Sequence, residues 1–131
     1  MQNFLPGLHH RKYCLSDYVI GNAKRLLLQK QYGIPHLAPK DVAQNSDAVK
    51  CWLKTCGASK VLIHFDMDVL DPSEIVAAVG TDPEGMKMEE VIRVINDIAV
   101  EKEIVGLTIA EPMPRTAIRI KDMLNRLPLL K

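Results

Sequence analysis

The stretch Val61-Leu62-Ile63-His64-Phe65-Asp66-Met67-Asp68-Val69-Leu70-Asp71-Pro72 decides how this chain is read. It opens as a short apolar run, the pattern of a strand buried on both faces of a parallel sheet. Asp66 and Asp68 fall where such a strand stops. Asp71-Pro72 ends it, because proline brings no donor to the ladder and restricts the residue before it. Residues two apart on a strand point to the same side, so both carboxylates are expected to face one spot beyond the strand's C-terminal end. In open α/β sheets that crevice is where ligands bind. Close carboxylates repel, and burying them is costly unless a cation or a shared proton compensates. A hard divalent cation such as magnesium, calcium or manganese is the simplest compensation. The competing reading is turn chemistry, with the side chains bonding nearby backbone amides. Asp71 is assigned to that reading, as a loop-stabilising residue.

Downstream, residues 73–85 form the longest irregular stretch, with the turn formers Gly80-Thr81-Asp82-Pro83 and Glu84-Gly85. Substrate contacts are expected on such a loop. Residues 86–101 read as a helix, with Met88, Val91, Ile92, Ile95, Ile98 and Ala99 on one face. Glu89, Glu90, Arg93 and Asp97 take the other face, as solvated charge. A second buried strand follows over 104–110 and repeats the first pattern, closing with Glu111-Pro112. If the two strands are neighbours, Glu111 points into the crevice of Asp66 and Asp68. A glutamate buried there needs a partner: either a cationic ligand or a local residue such as Arg115. Residues 115–127 read as a last amphipathic helix, with Ile120, Met123, Leu124 and Leu127 inward and Pro128 as its stop.

Upstream, residues 1–10 contain Pro6-Gly7 and read as a loop or frayed terminus, with His9 and His10 solvated. A short strand is expected over 12–15 and another over 34–37, near an edge because of Pro35. Between them Asn22 caps a helix to about Tyr32, with Gly33 as its stop and Ala23, Leu26 and Leu27 inward. Pro39 opens a helical segment that runs to Cys56 and ends at Gly57. Val42, Val49, Trp52, Leu53 and Cys56 form its apolar stripe, and Cys51 is given the same packing role. Strands and helices therefore alternate, which argues for a three-layer αβα arrangement on a mainly parallel sheet, in one domain of 131 residues.

Composition sets the bounds. Apolar residues at 47% and charged residues at 25% are ordinary globular usage, and the net charge of +1 gives no basis for nucleic-acid or membrane-surface binding. Three cysteines, with Cys51 and Cys56 five apart, make neither a disulfide framework nor a zinc ribbon. No apolar run reaches the roughly 20 residues of a membrane span. A cytoplasmic protein is expected.

These residues also resemble a known family. Phe65-Asp66-Met67-Asp68-Val69-Leu70-Asp71-Pro72 is similar to the Phe-Asp-x-Asp-x-x-Asp-Pro signature of the arginase and agmatinase (ureohydrolase) family. Gly80-Thr81 with Gly85 resembles that family's Gly-Thr-x-x-x-Gly loop, and Gly106-Leu107-Thr108-Ile109-Ala110-Glu111 its last strand, Gly-Leu-Asp-Ile-x-Glu. Order and spacing agree from about residue 34 to the C-terminus. The resemblance implies a two-manganese hydrolase that cleaves a guanidino or amidino carbon–nitrogen bond, as in arginine or agmatine, through a metal-bridging hydroxide. It assigns Asp66 and Asp68 to the metal, Glu111 to the guanidinium that is held for attack, and Thr81 to the substrate-facing loop. Thr108 departs from the family's aspartate. The family's other metal motifs, Gly-Gly-Asp-His and Asp-Ala-His-x-Asp, do not occur, and His9, His10, His36 and His64 do not match them. The chain is thus expected to correspond to a C-terminal half, inactive alone, with open sheet edges. Its expected partners are a second copy or a missing N-terminal half.

Two other classes fit less of the sequence. Haloacid-dehalogenase phosphatases also place Asp-x-Asp after a strand, with Asp66 as phosphoryl acceptor, Asp68 as acid/base and magnesium as cofactor. The Gly-Thr after their second aspartate is absent, and Glu111-Pro112 is not their downstream acidic pair. An EF-hand loop from Asp66 fails at Asp71, where glycine is required, and at Ala77, where glutamate is required. The remaining class is a metal-free α/β interaction module.

Overall fold

The computed structural model describes residues 14–15, 31, 33, 35–74, 84–110 and 117–130. Strands β1 (Cys14–Leu15) and β2 (His36–Leu37) pair in parallel, close to where the two short strands are expected. The expected helix between them and the 1–10 terminus lie outside the described residues.

Helix α1 (Pro39–Val42) and helix α2 (Asp47–Thr55) replace the single helix expected from Pro39 to Cys56. Pro39 suits a first helical turn, where its missing N–H costs nothing. Asp41 reaches back to accept the Ala38 N–H at 2.9 Å. The break falls at Asn45-Ser46, where Asn45 Oδ1 accepts the Asp47 N–H at 3.0 Å and gives the backbone an alternative to helix. Gly57, at φ +71°, ends α2 in the left-handed region that favours glycine. Val42, Val49, Leu53 and Cys56 are buried and Trp52 packs against them, so the apolar stripe survives the break. Cys51 is exposed and takes no part in it.

Strand β3 (Lys60–Asp66), helix α3 (Met88–Glu101) and strand β4 (Glu103–Ala110) form a parallel βαβ unit. The register pairs His64 with Thr108, Phe65 with Ile109 and Asp66 with Ala110, after an irregularity at Val61/Leu62. On one face of the ribbon Val61, Ile63, Phe65, Ile104, Leu107 and Ile109 pack into the core with Val91, Ile92, Val94 and Ile95 of α3. Helix α4 (Ala117–Leu124) and a 3₁₀ turn (Pro128–Leu130) complete the described chain. Ile120, Met123 and Leu127 are buried, and Pro128 opens the turn where the helix is expected to have ended.

The charged face of α3 is more engaged than its sequence suggests. Arg93 is half-buried and donates through Nη1 to the Ala43 carbonyl at 2.9 Å and through Nη2 to the Val42 carbonyl. It therefore satisfies the orphan carbonyls at the end of α1. Asp97 pairs with Lys50 at 3.3 Å, tying α3 to α2. Glu90 accepts the Lys87 N–H at 2.9 Å, and Glu89 forms a two-toothed pair with Arg126.

Candidate functional site at the end of β3

The site grows out of how β3 stops. Its last residue, Asp66, is also the N-cap of a 3₁₀ turn over Met67–Val69. Asp66 Oδ1 accepts the Asp68 N–H at 3.1 Å, which satisfies a donor that the ending strand leaves without a ladder partner. The turn is anchored from below, since Met67, Val69 and Leu70 are all buried. Asp66 and Asp68 alternate with those anchors and stay half-buried. The aspartates are thus brought into one turn at the C-terminal end of a parallel strand. What joins them is a cap and apolar anchors, where the expectation was strand alternation. Turn chemistry and carboxylate clustering coexist here. Asp68 Oδ1 is shielded from solvent.

The following segment locks the turn. Asp71 Oδ1 accepts the Ser73 N–H at 2.8 Å and also the Ser73 hydroxyl, the loop-stabilising role expected of it. These bonds, the side-chain one foremost, hold its carboxyl below the usual range. Met86 donates its N–H to the Val69 carbonyl at 2.7 Å and accepts the Asp71 N–H at 2.9 Å. Gly85 makes that approach feasible: a Cβ there would stand 2.7 Å from Asp71 N and 2.8 Å from the Leu70 carbonyl carbon. Glu74 Oε2 accepts the Met88 N–H at 3.3 Å. The loop between residues 74 and 84 therefore leaves from and returns to one spot beside the aspartates.

Strand β4 arrives alongside. Ala110, the last residue of β4, is registered with Asp66, and Glu111 follows it in the sequence. Glu111 and Thr81 themselves lie outside the described residues, as do His9 and His10. One rung below, His64 Nδ1 and Thr108 Oγ1 are 2.7 Å apart. Sequence reasoning treats His64 as a core or supporting residue. It is exposed, and Thr108, noted only as a departure from a family pattern, is its partner across the strands. The parallel register is the signal that finds this pair.

Carboxylate oxygens suit manganese, so Asp66 and Asp68 fit as part of a manganese donor set. They do not complete one: among the described residues no three His, Cys, Asp or Glu side chains group as metal ligands. No helix among them is long and apolar enough to cross a membrane.

The family model described as the arginase family matches residues 17–124. Among solved structures, the arginase of Entamoeba histolytica, crystallised with L-ornithine, superposes with a TM-score of 0.69 at 18% identity over 81% of this chain and 39% of that one. Formimidoylglutamase of Bacillus subtilis gives 0.73 at 18% identity over 84% of this chain and 38% of that one. Proclavaminate amidino hydrolase of Streptomyces clavuligerus gives 0.62 at 18% identity over 77% and 37%. No curated protein matches significantly. This chain spans about two-fifths of the length of the solved structures it resembles. The parallel α/β fold, the Asp-x-Asp turn that ends β3 and the match over residues 17–124 agree, and the chain belongs to the arginase family.

Proposed function

We propose that this chain contributes the second half of a manganese-dependent hydrolase site for a guanidino or amidino carbon–nitrogen bond. The observation that carries it is the Asp66–Asp68 turn at the end of β3, with β4 in register beside it and ending one residue before Glu111 in the sequence. Family membership favours this reading over a phosphatase or a metal-free module. Asp66, through the oxygen not used on the Asp68 amide, and Asp68 would hold the metal together with donors that the described residues do not supply. The chemistry that bound manganese supplies in such a site is Lewis acidity toward water. Glu111 would pair with the planar cation of the substrate and fix its carbon for attack, where positioning supplies much of the rate. Thr81 would line the substrate side. Arginine, agmatine and formimino compounds all present the group that this pairing needs.

Isothermal titration with manganese, beside magnesium, tests the assignment. Weak manganese binding is expected for the chain alone, because two carboxylates do not close a site. That binding should be lost in Asp66→Asn. An unchanged titration in Asp66→Asn removes the metal role from the turn. Tight uptake of two ions would mean the site is complete, and urea release would then be assayed directly.

A further inference from the structure

The ladder below Asp66 carries a polar pair that the aspartate turn does not use. The register sets His64 opposite Thr108, and His64 Nδ1 lies 2.7 Å from Thr108 Oγ1. A neutral histidine ring offers a donor at one nitrogen and an acceptor at the other, so this contact decides which nitrogen does which. Thr108 has one hydroxyl proton and two acceptors within reach: Nδ1 at 2.7 Å, or the Ile63 carbonyl at 3.5 Å. The carbonyl stands outside the usual range of O–H···O bonds. A separation of 2.7 Å suits a hydroxyl donor and is shorter than most bonds that an N–H donates. The hydroxyl therefore donates to Nδ1, and the neutral ring keeps its proton on Nε2. Side chains two apart on a strand share a side, so His64 stands on the side of β3 that carries Asp66. Asp66 spends one oxygen on the Asp68 amide, and its other oxygen is still an acceptor.

We infer that Thr108 fixes His64 as an Nε2–H donor that serves the Asp66 carboxylate, directly or through one water. Thr108 is then a positioning residue, and His64 supports the site without ligating its metal. A ligating imidazole needs a lone pair on the nitrogen that faces the metal, and it gives its other N–H to an acceptor. Thr108 enforces the opposite arrangement. An ionised aspartate at 108, as in the family pattern that this strand resembles, can only accept. It would draw the proton to Nδ1 and turn Nε2 into an acceptor. The threonine thus decides whether the polar group set beneath the turn gives or takes a hydrogen bond. A donor there limits the directions in which the free oxygen of Asp66 points. That Asp66 holds metal rests on the function proposed above; the tautomer rests on the His64–Thr108 rung alone.

Nitrogen-15 NMR of the imidazole rings in the full chain, at about pH 8.5 where histidines are in general neutral, reads the tautomer without any metal. Loss of signals in His64→Gln identifies the ring. The proton is expected on Nε2 in the native chain, on Nδ1 in Thr108→Asp, and shared between the two in Thr108→Val. A proton on Nδ1 in the native chain, or a tautomer that Thr108→Asp leaves unchanged, overturns the inference. Manganese titration followed by broadening of the Asp68 amide signal tests the link to Asp66. His64→Phe should weaken binding about tenfold, the lower end of what loss of such a supporting partner costs. His64→Gln, which keeps an N–H donor, should restore most of it, with the unfolding transition followed by Trp52 fluorescence in place for both. Equal binding in His64→Phe and the native chain, with binding still lost in Asp66→Asn, overturns the support and keeps the metal. Binding unchanged in Asp66→Asn removes the metal from the turn, and the ring spectrum alone then decides the role of Thr108.

Discussion

At the scale of single residues, Asp66 carries two jobs that substitution separates. Asp66→Ala removes the acceptor for the Asp68 N–H and should cost about 1 kcal/mol, the usual value of such a cap. Asp66→Asn keeps an oxygen acceptor, so stability should hold while manganese affinity falls. Urea unfolding beside calorimetry reads both, and equal destabilisation by the two variants would show that the charge itself holds the turn. Arg93 works at the other end of the core. Arg93→Met strands the Val42 and Ala43 carbonyls and should cost about 1–3 kcal/mol in urea unfolding. Its neighbour Asp97 sets a pH dependence. The Ser46 hydroxyl, then Lys50 and Arg93, hold its carboxyl below the ordinary 3.8. A folded value below the unfolded one means that the stabilisation is whole above pH 3.8 and is lost as pH falls through the folded value. Asp97→Asn should therefore flatten the acid limb of stability in that window. Arg126, through its hydrogen bonds first and its charge second, likewise holds the exposed Glu89 carboxyl below its ordinary value, and high salt screens the charge.

At the scale of elements, the loop after β3 is held by its ends, and Gly85 is the residue on which that closure depends. Gly85→Ala would drive a Cβ into the backbone of Val69, Leu70 and Asp71. Backbone cannot step aside, so the bridge of hydrogen bonds from Met86 to Val69 and Asp71 should break, at a cost of about 1–3 kcal/mol. Gly57→Ala, strained by its φ but with open space around it, should cost about 1 kcal/mol and leave the bridge intact. Hydrogen exchange at the Met86 and Asp71 amides distinguishes the two. The strands and the α3 helix were legible from sequence because each is an uninterrupted periodic run, bounded by Gly or Pro. The break between α1 and α2 was not. Asn45 and Ser46 are neutral in a window dominated by Val42, Val49 and Leu53, and the break is held by Arg93, which is 47 or more residues away in sequence. The Arg93 bonds escape the sequence for the same reason: helical periodicity shows which face is polar, not what another element lays against it. Toward the candidate site the sequence offers its carboxylates and the βα order, and the structure adds the turn that joins Asp66 and Asp68. The His64–Thr108 rung required the register, which no single strand contains.

At the scale of the whole molecule, one buried cluster joins α1, α2, β3, the Asp-x-Asp turn, α3, α4 and Leu127. Its two ends are far apart in sequence: Leu53 sits in α2, while Leu127 closes the C-terminal segment, and both are almost wholly buried. Leu62 and Val105 on the far side of the ribbon are exposed, and the candidate turn is fixed from the core side. This arrangement anchors the turn that carries Asp66 and Asp68, because Met67 and Val69 belong to the same cluster. If the cluster is a single cooperative unit, the chain unfolds in one step, and damage at either end is felt throughout. Leu53→Ala and Leu127→Ala should each cost about 2–5 kcal/mol through lost burial and the cavity left behind, a large share of the roughly 5–15 kcal/mol that holds a domain. Trp52 is the only tryptophan and reports from the α2 end. The decisive variant is therefore Leu127→Ala, whose lesion lies at the other end. Its fluorescence and far-ultraviolet dichroism transitions should stay coincident and move together to lower denaturant. A Trp52 transition that stays in place while the dichroism shifts would divide the core in two, and the turn of Asp66 would then owe its rigidity to only one part of it.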